Sequence, residues 1–384
     1  MRILLCFLQS LRKHPVSAYE HWRKYLINGC QEAGVECVEV PGVDWVEGII
    51  HPPSNILETW RAQTWEKTLD FIRTEHKRKQ IDFFLGYFYP QMVSDAAIRE
   101  IQGMGIPCVN FFCDNVREFR HLPREFRCFD LHWVPEYQAL EMYRRAGIKH
   151  FHAAMPCWVP PEQRHWSHPE TEGITFIGSP DDLRRHLLGQ AIQIGADIDI
   201  YGMGWNGEYD RSSGSHKSTG KFLANQWQDI HRLGFKSWLL KFERRFYPLP
   251  EPPPIPQDRL RGKLAPEDFV RVMQQSTITL GINRVTTHYN PLRRTITYSR
   301  LRDIEAPMLG ACYLTEWAED LEHLYDVGSE IETYRTFEDL KEKIEQLHLD
   351  PEKRRRLRRA GQARALHEHA VGSTLAKIRK HLRI

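Results

Sequence analysis

What this sequence lacks narrows its chemistry before any motif is found. Its eight cysteines, Cys6, Cys30, Cys37, Cys108, Cys113, Cys128, Cys157 and Cys312, include no CxxC pair, so zinc-ribbon and thioredoxin-type spacings are absent. Scattered through 384 residues, they read as reduced, mostly buried small hydrophobes, the usage of a cytoplasmic protein. There is no GxxxxGK[ST] phosphate loop, no GxSxG nucleophile elbow and no HExxH zinc helix. Long apolar runs are missing too. Ile3 to Leu8 is among the longest and falls far short of the roughly 20 residues a bilayer needs. Following a single Arg2, it is also too short for a secretion signal. Charge of one sign is lacking as well: 53 basic against 50 acidic residues leave a net +3. An acidic ligand would need only a local basic pocket.

What is present is a globular composition, 41% hydrophobic and 27% charged, in a length that suggests two or three domains. The opening alternates strand, helix and strand: Arg2 to Leu8, Tyr19 to Ala33 with Gly34 ending it, then Val35 to Val40. Thr64 to Lys79, Ile81 to Tyr87, Ser94 to Gly103, Ile106 to Cys113, Leu131 to Val134 and Glu136 to Ala146 continue the pattern. Such alternation predicts a parallel sheet flanked by helices. Gln9-Ser10-Leu11 follows the first strand where a GxGxxG would stand, so nicotinamide dinucleotides are not expected there.

Residues 158–172, rich in proline and tryptophan and without period, read as a linker after a first domain at 1–157. Alternation restarts at Ile174 to Ile177, followed by Gly178-Ser179-Pro180, helix Asp182 to Ile194 and strand Asp197 to Tyr201. An insert at 206–257 interrupts this second domain, which is expected to span 173–370. Within the insert, 238–246 has an aromatic and basic face, either packed on the domain or open to peripheral membrane contact. Helix Pro266 to Gln275, strand Thr277 to Ile282, helix Leu301 to Leu309 and strand Cys312 to Leu314 resume the pattern, and helices follow from Phe337 and Asp350. Residues 371–384 are expected to form a terminal helix crossing back to the first domain. The basic run Lys353 to Arg359 reads mainly as a solvated helix face, with a nucleic-acid patch as the sharper alternative.

The chemically informative segment runs from Tyr298 to Glu316. Glu305 on a helix at the strand-end rim can accept both hydroxyls of a ribose, and Arg302, one turn earlier, can answer a diphosphate. The plain alternative is an amphipathic helix with a surface ion pair. Leu301-Arg-Asp-Ile-Glu-Ala-Pro-Met-Leu-Gly-Ala311 resembles the LRxFEAPACGA signature of CgeB-like, spore-maturation-type glycosyltransferases. Ile174 to Pro180, Asp197 to Trp205, Leu280 to Arg284, Asp320 to Ile331 and Asp350 to His369 resemble further stretches of that family, in the same order.

The resemblance implies a GT-B fold: an α/β protein with two Rossmann-like domains facing across a cleft. It implies sugar transfer from a nucleotide diphosphate sugar, UDP-linked, to an acceptor it does not identify: a small molecule, polysaccharide, protein or DNA. Carried over to this sequence, Glu305 would hold the ribose and Arg302 the diphosphate. Gly178 and Ser179 would offer backbone N–H groups at a helix N-terminus, with Arg284 and Lys263 adding positive charge. No metal and no resident cofactor is implied, because such groups stabilise the departing diphosphate. One departure stands out. Retaining relatives carry two glutamates separated by seven residues, and the first of them falls on Thr297 here. An inverting route needs a general base from the first domain; Asp114 is the first candidate, with turn former or N-cap as its alternative, and His14 the second. Rival functions are a sugar-nucleotide epimerase, a DNA-modifying glycosyltransferase and a non-catalytic protein that binds sugar or nucleotide.

Overall fold

The computed structural model describes residues 1–14, 18–50, 55–206, 251–288 and 295–384. By internal contacts the chain divides into two units, Met1–Trp158 with Glu368–Ile384, and Val159–His367. Most of the insert at 206–257, including 238–246, lies outside the described residues. No helix among the described residues is long and apolar enough to cross a membrane.

The first unit is built on six parallel strands: β1 (Arg2–Cys6), β2 (Glu36–Glu39), β3 (Phe83–Tyr87), β4 (Cys108–Phe111), β5 (Leu131–Val134) and β6 (His150–His152). They are ordered β2-β1-β3-β4-β5-β6. The three central strands β1, β3 and β4 are buried along their whole length, as expected when helices cover both faces of a parallel sheet. Phe7, Phe111 and Trp133 pack in series across the core, and Trp45, Trp65 and Phe88 form a second aromatic cluster. The C-terminal helix Val371–Leu382 lies against helix Ala18–Glu32. Gly29 permits that approach, since a Cβ there would overlap Val371.

The second unit repeats the design with β7 (Glu172–Ile177), β8 (Ile198–Tyr201), β9 (Leu260–Gly262), β10 (Ser276–Gly281), β13 (Tyr313–Glu316) and β14 (Glu332–Tyr334). Their order is β14-β13-β10-β7-β8-β9, all parallel. A short antiparallel pair, β11 (Arg284–Thr286) and β12 (Thr295–Thr297), stands apart from the sheet. Glu172, placed in the linker by sequence, already belongs to β7.

The basic run at 353–359 departs from expectation. Arg355, Arg356 and Arg359 are exposed, but Arg354 and Arg358 are buried. Arg358 donates to the carbonyl oxygens of Gln274 (2.8 Å), Gly310 (3.1 Å) and Ser276. Arg354 donates to Leu347 O (2.5 Å) and His348 O (2.9 Å), and its guanidinium meets Glu170 at 2.6 Å. The run therefore fastens the helix Pro351–Glu368 to the base of the sheet rather than presenting one charged face. Main-chain carbonyls at the ends of elements need donors when buried, and a planar guanidinium can serve several at once.

Arg358→Ala should lower stability by about 3 kcal/mol or more, because it strands buried carbonyls. Arg356→Ala on the exposed side should change it by less than about 0.5 kcal/mol. Urea denaturation of both variants checks the contrast.

Candidate functional site

At the carboxyl edge of the second sheet, the helix Arg302–Met308 leads into β13. Its start is fixed by Asp303, whose side chain is fully buried. Asp303 Oδ2 accepts the Arg300 N–H (2.6 Å), and Oδ1 accepts from Tyr313 Oη (2.9 Å), Thr315 Oγ1 (3.0 Å) and Asn283 Nδ2 (3.3 Å). Its carbonyl takes the Tyr325 hydroxyl at 2.8 Å. Burial pushes the Asp303 carboxyl above its usual range, and the hydrogen bonds from Arg300, Tyr313, Thr315 and Asn283 only partly pull it back. A raised folded-state pKa means that this contribution to stability is fullest below about pH 4 and declines as pH rises through the folded value.

Glu305 and Arg302 flank this anchor. Glu305 is buried and accepts from Arg302 Nη1 at 2.7 Å, while the Arg302 guanidinium lies 4.7 Å from the Phe269 ring centroid. The structure therefore brings the two expected donor-binding residues into one ion pair. Arg284 is placed differently. Its Nε and Nη2 meet Glu316 Oε1 at 2.7 and 2.6 Å, and Glu316 Oε2 accepts the N–H groups of Arg284 (3.0 Å) and Asn283 (3.2 Å). The charge expected of Arg284 is thus matched by Glu316, and the pair fixes the exit of β10. Thr297 stands directly opposite Arg284 across the β11–β12 pair.

The expected phosphate turn is also altered. Gly178 gives its N–H to Tyr201 O (2.9 Å), extending the β7–β8 ladder, and its carbonyl accepts Trp205 Nε1 at 2.9 Å. That N–H is not turned to a ligand. The helix Asp182–Gln193 is capped by Asp181, which accepts the Arg184 N–H at 2.8 Å, and Asp182 adds a second carboxylate. Two acids at a helix N-terminus already complement its dipole. Ser179 is exposed, as is Lys263 just beyond β9.

The first unit carries the other candidates at the carboxyl ends of its strands. Asp114 follows β4 with φ +75°, a left-handed conformation uncommon for a residue with a side chain. It occupies the N-cap position of the helix Asn115–Glu118, yet its side chain makes no capping bond. Arg117 lies 4.0 Å from its Oδ1. Beside it, Tyr89 and Phe112 meet edge to face at 5.1 Å, and Phe112 stacks on Phe119 at 5.2 Å. Burial, and after it the charge of Asp114, raises the Tyr89 hydroxyl pKa. His14 Nε2 lies 3.0 Å from Asp44 Oδ2, and the same carboxylate accepts from Ser10 Oγ (2.8 Å) and Leu11 N (3.0 Å). Burial pushes the Asp44 carboxyl up, but the hydrogen bonds from His14, Ser10 and Leu11 outweigh it and hold it below the usual carboxylate range.

A family described as glycosyl transferase-like matches residues 184–380, which take in the helix carrying Arg302 and Glu305. The chain belongs to the glycosyl transferase-like family. No curated protein matches its sequence at a significant level. Among solved structures, sucrose-phosphate synthase from Thermosynechococcus elongatus is similar over 99% of this chain and 98% of that one, with a TM-score of 0.57 and 12% identity. Anabaena Alr3699/HepE, solved in complex with UDP-glucose, gives a TM-score of 0.55 at 13% identity over 100% of this chain and 99% of that one. AviGT4, a glycosyltransferase involved in avilamycin A biosynthesis, gives 0.55 at 14% over 100% and 97%. These likenesses show the fold: this glycosyl transferase-like chain has the GT-B fold, with a parallel six-stranded sheet in each unit.

Sequence reasoning about this glycosyl transferase-like chain passed over Asp303, Asn283 and Glu316. The available signal was local: Asp303 is a third charged residue in a short segment otherwise rich in apolar and small residues. One Asp-x-Asp tripeptide, Asp197-Ile198-Asp199, also occurs. It lies at the start of β8, where Asp197 pairs with Arg259, and Asp199 with Arg261 at 2.9 Å.

Asp303→Ala should cost about 3–5 kcal/mol, the magnitude seen when a buried polar network loses its shared partner. Asp303→Asn keeps one acceptor oxygen and should cost about 1–2 kcal/mol. Urea midpoints of the two variants measure the difference.

Proposed function

We propose that the chain transfers a sugar from a nucleotide diphosphate donor, UDP-linked, to an acceptor hydroxyl, without a bound metal. The observation that carries this is the Arg302–Glu305 pair held by Asp303 at the carboxyl edge of the second sheet. A carboxylate there can accept both ribose hydroxyls, and a guanidinium can stabilise the diphosphate as it leaves. Ser179 and Lys263, both exposed, lie on the same edge, and Lys263 adds a positive charge. UDP is favoured because Anabaena HepE, which shares the fold, was solved with UDP and with UDP-glucose. The order of motifs from Ile174 to His369 supports the CgeB-like subgroup.

On the first unit, Asp114 takes the acceptor's proton in an inverting displacement. The base attacks nothing itself: the acceptor oxygen forms the new bond to the sugar, and the diphosphate leaves with the electron pair of the old one. The aromatic rings of Tyr89, Phe112 and Phe119 beside it suit the C–H faces of a sugar acceptor. His14 is the second candidate, favoured by its bond to Asp44, which orients the ring as a paired base requires.

A thermal-shift screen against UDP, GDP, ADP, CDP and TDP, with magnesium and with EDTA, is the first test. Stabilisation by UDP that is equal in both is expected, since a ligand that binds only the folded state stabilises by mass action. Absence of a shift with every nucleotide defeats the proposal. Glu305→Ala should weaken UDP binding about tenfold or more while leaving the melting temperature of the free protein nearly unchanged; a lowered melting temperature with normal binding identifies a structural role instead.

A further inference from the structure

The first unit buries a carboxylate for which neither the fold nor the proposed transfer accounts. Glu136, two residues past β5, is fully buried. Its Oε1 accepts the main-chain N–H of Asn115 at 2.5 Å, and its Oε2 accepts Asn115 Nδ2 at 2.7 Å. Asn115 is itself fully buried. Its Nδ2 also donates to Phe112 O (2.8 Å), and its Oδ1 accepts the Tyr143 hydroxyl (2.9 Å). Every polar group of the Asn115 amide is therefore fixed by β4's own exit, by Glu136 or by Tyr143.

Asn115 immediately follows Asp114. An aspartate at an N-cap ordinarily accepts an N–H from the first turn of its own helix. Asp114 does not, and its φ of +75° belongs to a backbone conformation that disfavours side chains by about 1–2 kcal/mol. Glu136 satisfies the first N–H of that helix from a different strand. Removing a carboxyl group from water is costly, so its placement against the backbone and amide of Asn115 needs a return elsewhere in the structure.

We propose that Glu136 is a positioning residue: through Asn115 it holds the backbone at Asp114 in the left-handed conformation, so that the Asp114 carboxylate can meet the acceptor hydroxyl. The proposal rests on Asp114 acting as the base, and the test separates the two. Glu136→Gln keeps the shape but turns one N–H donor toward the donors of Asn115. Tyr143→Phe removes only the hydroxyl that fixes Oδ1. Each is made alone and in an Asp114→Asn background, and kcat and donor KM are read from UDP-glucose hydrolysis, with water as acceptor, beside the melting temperature.

In the otherwise wild-type chain, Glu136→Gln should lower kcat about tenfold or more with donor KM unchanged within twofold, and Tyr143→Phe should lower it less. In the Asp114→Asn background neither should lower kcat more than twofold further, because the residue they position is already gone. A loss of the same size in both backgrounds overturns the proposal and leaves Glu136 a structural residue. So does wild-type kcat in Glu136→Gln beside an impaired Asp114→Asn. Wild-type turnover in Asp114→Asn itself refutes the base assignment, and the positioning with it. If Glu136→Gln does not fold, the Tyr143→Phe cycle decides on the same terms.

Discussion

The Asp303 carboxylate is the constraint on which the second unit's functional edge depends. It gathers donors from the turn before its own helix, from two positions on β13 and from the exit of β10. It thereby ties the turn before the helix to β10 and β13, which already pair in the sheet. Packing reinforces the choice. A Cβ at Gly281 would overlap the Thr315 and Tyr313 hydroxyls, so the strand beside Asp303 approaches β13 more closely than a side chain allows. A fully buried acid is tolerable when each oxygen has donors, and here their geometry sets where Arg302 and Glu305 begin.

Two acid–arginine pairs lie on this edge, and their environments give them different tasks. Glu316 takes three contacts from Arg284, one of them from its main-chain N–H, and a fourth from the main-chain N–H of Asn283. Opening that pair would strand backbone donors as well as charges. Arg302 and Glu305 meet three residues apart on a single helix. In the proposed function, a ligand that offers hydroxyls to Glu305 and anionic oxygens to Arg302 takes the place of this contact. Residue types alone do not distinguish the two pairs; the backbone N–H groups that Glu316 accepts do.

The central strands and the edge strand β2 were legible in sequence; the edge strands β6, β9 and β14 were not. β1, β3 and β4 are rich in apolar residues because helices cover both faces, and the alternation with helices identified them together with β7 and β10. β6 buries only Phe151 between two half-buried histidines, β9 buries none of its three residues, and β11 is half-buried throughout. Short edge strands of that kind take their conformation from a neighbour's hydrogen bonds, which no local period records. The helix Pro351–Glu368 shows the same limit from the other side. Arg354 and Arg358 sit four apart, a spacing equally consistent with a charged exterior, and only the carbonyls of Leu347, Gln274 and Gly310 explain why they turn inward.

The candidate site follows that division. Arg302 and Glu305 could be singled out because their types, spacing and motif context all lie within one short stretch. The groups that fix them do not: Asn283 and Asp303 are 20 positions apart, as Asn115 and Glu136 are 21 apart. A buried polar residue acquires meaning only from a partner brought to it by the sheet, and in both units that partner arrives from the exit of a different strand. Parallel α/β sheets make this arrangement economical, because every strand delivers its following loop to the same edge. In the proposed function Asp114 stands in a left-handed backbone conformation, with the Asn115 amide and the buried Glu136 just beneath it to hold that strain.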